Sequence, residues 1–164
     1  MEAVPGGVTP TASLMRAVVW GGATAGVLDI AAALSVYGLR GARPIRILQG
    51  IASGLLGAEA FKGGRGTAAL GLALHFLIAF TAAAVYLAAS RRLRILIDRP
   101  VLAGLLYGVA VYAVMNAVVL PLSNVAPARF DAPLAVTILV VHMVCVGLPI
   151  ALAARRHAPA ARPT

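Results

Sequence analysis

Five side chains able to take part in chemistry stand inside long apolar runs: Asp29, His75, Asn116, His142 and Cys145. In hydrocarbon such groups are costly. They turn toward protein or a water-filled cavity, and an intramembrane ionisable residue reads by default as a site. The residue types admit three chemistries. Asp29 beside a histidine can pass a proton, because imidazole changes charge near neutrality and a buried carboxylate is tuned by its surroundings. His142 and Cys145, about one turn apart, make a candidate transition-metal ligand set with His75 and Asp29. His75 and His142, at similar depth on different helices, can hold a haem b axially. A plainer reading stands beside these. Polar groups that only hydrogen-bond between helices are worth about 0.6 kcal/mol each. Asn116 and the two histidines suit that reading; Asp29 suits it less, since a carboxylate in lipid needs a partner or a proton. Cys145 taken alone reads as a small buried apolar residue. The sequence holds no Ser-His-Asp, HExxH or paired-carboxylate arrangement and no CxxCH, so no motif points to an enzyme or demands a cofactor.

The elements that carry these groups follow from hydropathy. Of 164 residues, 61% are hydrophobic and 12% charged, against about 45–50% and about 25% in soluble domains. Four apolar runs reach the ~20 residues needed to cross a bilayer: residues 14–39, 67–90, 101–122 and 132–154. The expected fold is an all-α, polytopic membrane helical bundle of one domain. Residues 1–13, with Pro5, Gly6, Gly7 and Pro10, read as a flexible tail, and 155–164 as a basic one. Residues 126–129 form a short loop.

Residues 45–61 are ambiguous. Seventeen residues is the low edge of spanning length. Arg46, Gln49, Gly50, Ser53 and Gly57 share one stripe, opposite Leu48, Ile51 and Leu55. The segment fits a short amphipathic or re-entrant helix, and equally a fifth span packed on its small-residue face. With four spans, eight basic residues fall at one end of the bundle and six at the other; with five, the division is ten against four. The positive-inside rule prefers the larger bias. Under both arrangements the 91–99 loop and the C-terminus are cytoplasmic.

Each polar group shares a helical stripe with small residues, which let backbones approach. Gly22, Gly26 and Asp29 form one stripe. Thr67, Gly71 and His75 form another, and Gly104, Gly108, Tyr112 and Asn116 a third. Gly50 and Gly54 repeat the spacing in the short segment. At about 1.5 Å per residue, His75, Asn116 and His142 lie roughly 9–15 Å from the non-cytoplasmic end, and Asp29 near mid-span. The four are expected to meet at one level.

The net charge of +9 comes from 13 Arg and Lys62 against five acids. The arginines flank apolar runs, as suits orientation in a bilayer and contact with anionic headgroups. With aromatics at 5%, a base-stacking surface is excluded and nucleic acid is not an expected partner. The partners expected are the bilayer itself and a second copy or a larger membrane complex.

The stretch Arg46-Ile47-Leu48-Gln49, Ile51 to Gly57, Phe61, Gly63-Gly64 and His75-Phe76, with Tyr112, Asn116 and His142 further on, resembles a family of small uncharacterised multi-pass inner-membrane proteins of Gram-negative bacteria. That resemblance implies a bacterial inner-membrane location and supplies no mechanism. Three function classes stay open: an accessory or scaffold protein with a buried polar cluster; a small proton, metal-ion or solute transporter working as an oligomer; and a bis-histidine haem-binding electron carrier. A chain of 16.7 kDa is small for a transporter built from two moving halves, which favours the first.

Overall fold

In a computed structural model the protein is all α-helical across the described residues, 10–126 and 130–157, with side chains described from Ser13 onward. Helix α1 (Pro10–Leu39) begins inside the segment read as an N-terminal tail, and the last helix runs to His157, three residues into the expected C-terminal tail. Residues 1–9, 127–129 and 158–164, the remainder of those tails and of the loop, lie outside the described residues.

After α1, Gly41 turns the chain at a left-handed φ of 87°, open to glycine at no steric cost. Pro44 then opens helix α2 (Pro44–Leu56), its ring occupying a first-turn position where no N–H is needed. A 3-10 turn, Gly57–Phe61, leads into α3 (Gly64–Ser90). A short α4 (Ile95–Asp98) precedes α5 (Pro100–Val114), which continues through a π-helical turn, Met115–Val119. Helix α6 (Ala132–Val141) continues through a second π turn, His142–Gly147, into α7 (Leu148–His157).

Both π turns stand just before a proline, Pro121 and Pro149. A proline ring clashes with the carbonyl four residues back and donates no hydrogen bond. Widening the preceding turn accommodates that mismatch without ending the helix.

Four stretches are long and apolar enough to cross a membrane: Ser13–Leu39, Gly64–Ser90, Pro100–Val119 and Ala132–His157. Their outward faces carry large apolar side chains, among them Val27, Leu77, Leu106 and Val136, each at least half exposed. So much exposed aliphatic surface is compatible with an integral membrane protein and foreign to a water-facing monomer.

Side-chain contacts give the topology. Gly22 lies against Phe80 and Gly26 against Phe76, so α1 and α3 are antiparallel. The end of α1 and the start of α3 therefore lie at the same end of the bundle. Residues 40–63 leave and return at that end, and α2 does not cross. Of the alternatives open for residues 45–61, a fifth span is ruled out by this register. The buried face of α2 is Gln49, Ala52 and Ser53, while Ile45, Leu55 and Leu56 point outward.

The last helix packs antiparallel on α1, with Gly21 against Ile150 and Ala153, and on α5, with Gly147 between Gly104 and Gly108. The long helices thus run in the order α3, α1, α6–α7, α5. Between the two outer ones, Tyr107 and Tyr86 meet edge to face, and the Tyr107 hydroxyl donates to the Ala82 carbonyl at 2.7 Å. The core is mostly small: Ala17, Ala25, Ala83, Ala103, Ala151 and Ala154, with Tyr86 and Ile150 the large fully buried side chains.

Candidate functional site

Asp29 and His75 face each other across the α1–α3 contact. The Asp29 Oδ2 lies 3.9 Å from His75 Nδ1, with the two side chains 19% and 12% exposed. His75 Nε2 donates to the Gly26 carbonyl at 2.8 Å. That bond places a proton on Nε2 and turns Nδ1 toward the carboxylate. Gly26 makes this possible: a β-carbon there would press into the Phe76 ring, which stands edge-on to His75. The spacing of Gly26 and Asp29 therefore provides an acceptor and a carboxylate on one stripe.

The pair opens on a cavity of about 250 Å³ between all four long helices, lined also by Tyr37 and His142 and otherwise by aliphatic side chains such as Ile30, Ile78 and Val111. His142 arrives from the second π turn. Its Nδ1 donates to the Ile138 carbonyl at 2.9 Å, and its ring meets Tyr112 edge-on at 5.7 Å. The cavity thus brings together three of the four groups expected to meet.

Asn116 is not among them. It sits in the first π turn, exposed, and donates to the Tyr112 carbonyl of its own helix at 2.8 Å. Gly104 and Gly108 do face the last helix, but the wide turn rotates the residues after Val114 away from their stripe. Cys145 is partly buried and does not line the cavity. Among the described residues no three His, Cys, Asp or Glu side chains are arranged to hold a metal ion, so the candidate set of His75, His142, Cys145 and Asp29 is not brought together. Axial haem ligation by both histidines would meet His75 Nε2 already committed to Gly26, whereas His142, with Nδ1 donating to its own helix, keeps Nε2 available.

Gln49, Thr67 and Asn124, which sequence reasoning left without a role, hold α2 in place. Buried Gln49 donates to the Gly64 carbonyl (3.0 Å) and to the Thr67 hydroxyl (3.4 Å), which itself donates to the Ala60 carbonyl (2.6 Å). Asn124 donates from its backbone to Gly54 and from its side chain to Leu55, both at 2.9 Å, satisfying carbonyls at the end of α2. Gln49 was legible as polar within an apolar helix; Asn124, five residues beyond its helix, carried no such signal. Arg40 at the end of α1 pairs with Asp131 at 2.6 Å, and Asp131 also caps α6 through Leu134 N at 3.1 Å. These bonds, that from Arg40 first, hold the Asp131 carboxyl below its ordinary value of 3.8.

No family model matches the sequence, and no curated protein or solved structure is significantly similar to it.

Proposed function

We propose that the protein is a multi-pass accessory protein of a bacterial inner membrane, whose working part is a proton-binding clamp between α1 and α3. The approach of Asp29 Oδ2 to His75 Nδ1 inside an apolar cavity carries this reading. With Nε2 fixed on Gly26, Nδ1 is the ring atom left facing the Asp29 carboxylate, and a proton held between them would join the two helices. The clamp then tightens, because attraction between opposite charges is strong where water is scarce. The other titratable side chains round the cavity are Tyr37 and His142. The resemblance to small inner-membrane proteins of Gram-negative bacteria supports the location.

The orientation proposed puts the 91–99 loop and the C-terminus in the cytoplasm, and the α1–α3 register then brings the start of α1 to that side. At the opposite end two of the cations are neutralised, Arg40 by Asp131 and Lys62 by Glu59. By basic residues alone the cytoplasmic side carries eight against six, which supports the assignment.

The deciding experiment reconstitutes the protein in vesicles and follows melting and proton flux between pH 5 and 8. A melting temperature that rises on acidification in the wild type, and is flat in Asp29→Asn and in His75→Gln, with no flux in any of the three, is the expected result. A flat wild-type profile leaves the pair a fixed structural contact and removes the clamp. Proton flux abolished by either substitution transfers the site to the transporter reading. That second reading is favoured by one observation: the cavity shares Ala33, Tyr37, Ile51, Ile78 and Met115 with a wider cleft that opens at the α2 end.

A further inference from the structure

That cleft, of about 550 Å³, falls within the roughly 300–1,000 Å³ typical of ligand sites. It exists because α3 and α5 meet through Tyr86, Ala82 and Tyr107, away from this end, and leave a gap beyond that contact. Leu74 and Ile78 on one side face Met115 and Val119 on the other, and α2 covers the gap with the stripe Arg46, Gly50, Gly54. The walls are almost wholly apolar, and the polar contribution includes Arg46 at the rim.

Gly50 is the telling residue. Most mid-helix glycines of this protein have a packing reason. A β-carbon at Gly22, Gly71, Gly104, Gly108 or Gly147 would run into a neighbouring ring or backbone. A β-carbon at Gly50 would meet nothing within 4 Å. Glycine in a helix interior is disfavoured relative to alanine, and nothing inside the protein requires it there. It keeps the mouth of the cleft wide.

The end of the bundle at which the cleft opens is cationic, and Arg46 lines the cleft itself. Of Arg40, Arg43, Arg46, Lys62 and Arg65 at this end, only Arg40 and Lys62 have acidic partners among the described residues. The Arg46 guanidinium donates once, to the Phe61 carbonyl at 3.3 Å, and lies over the Phe61 ring at 5.3 Å. Most of its five donors stay available.

We propose that this cleft holds one anionic phospholipid of the surrounding bilayer, with an acyl chain between α3 and α5 past Gly50 and its phosphate on Arg46. Apolar walls match the chain, the planar guanidinium matches a phosphate, and an open-sided apolar cleft in a bilayer is filled most readily by the lipid beside it. The cleft adjoins the clamp cavity through shared residues, but Asp29 and His75 do not line it, so the lipid site does not rest on the clamp.

The test is native mass spectrometry of protein released from nanodiscs containing phosphatidylglycerol or phosphatidylcholine. Wild type is expected to retain one phosphatidylglycerol and to prefer it over phosphatidylcholine. Arg46→Gln should weaken that preference roughly fivefold, the factor that one cationic side chain near an anionic surface contributes. Gly50→Phe should lose the lipid and Gly50→Ala should keep it. Asp29→Asn should keep it too, which separates this outcome from the fate of the clamp. Wild type free of lipid, a Gly50→Phe variant that still carries it, or an Arg46→Gln variant with unchanged preference overturns the proposal. So does a wild-type dimer that Gly50→Phe splits, which would give the cleft to a second copy. If Gly50→Phe fails to fold, the Arg46→Gln preference decides alone.

Discussion

The imidazole of His75 reaches across to the backbone carbonyl of Gly26, 49 positions away in sequence and on the neighbouring helix. A side chain bonded to backbone fixes rotation as well as distance, so α1 and α3 are held in one register. His75→Leu removes this bond and leaves Asp29 without its neighbour. We expect a loss of about 1–2 kcal/mol, at the upper end for interhelical hydrogen bonds in membranes, because a carboxylate is stranded as well. Unfolding in mixed detergent, with Asp29→Asn/His75→Leu as the companion, checks this: the double variant should recover part of the loss.

Gly71 sets the seat of α2. A β-carbon there would collide with the Leu48 carbonyl. Gly71→Ala should cost about 1–3 kcal/mol through overpacking. It should also expose the 57–61 turn to protease while the four long helices persist, which limited proteolysis followed by circular dichroism reads directly.

The Tyr107 hydroxyl bridges helices that otherwise scarcely touch. Tyr107→Phe keeps the ring contact with Tyr86 and removes only the bond to Ala82. A loss of about 1 kcal/mol is expected. Tyr107→Ala also removes the packing and should lose about 3 kcal/mol or more. Equilibrium unfolding of the two variants separates bond from ring.

Arg40 and Asp131 tie the end of α1 to the start of the last helix. The folded carboxyl titrates below 3.8, so its contribution is fully present above that value and is lost as pH falls through the lowered folded value. Loosening of the α1–α6 junction is therefore expected only in acid below about pH 4. It should be absent in Asp131→Asn. Hydrogen exchange at residues 38–42 against pH measures it. Both side chains are about 40% exposed, so high salt should weaken the tie at neutral pH as well.

Hydropathy made the four long helices legible, because a bilayer demands ~20 apolar residues and little else does. Asp29 and His75 were legible for the converse reason: polar groups in such runs must find one another. Asn116 failed because stripe counting assumes 3.6 residues per turn, and the turn at Met115–Val119 does not keep it. Pro121 and Pro149 were the available clues to both wide turns. The path of residues 45–61 was undecidable from charge counting, since the arginine balance favoured a crossing that the Gly22–Phe80 and Gly26–Phe76 contacts forbid.

At Gly104, Gly108 and Gly147 the backbones of α5 and the last helix touch without side chains between them. Every amino-acid exchange that one base change can make in a glycine codon adds at least a β-carbon. Inheritance therefore offers these three sites no conservative step. The stretches of the gene least free to drift are expected to be ones whose residues take no part in any chemistry.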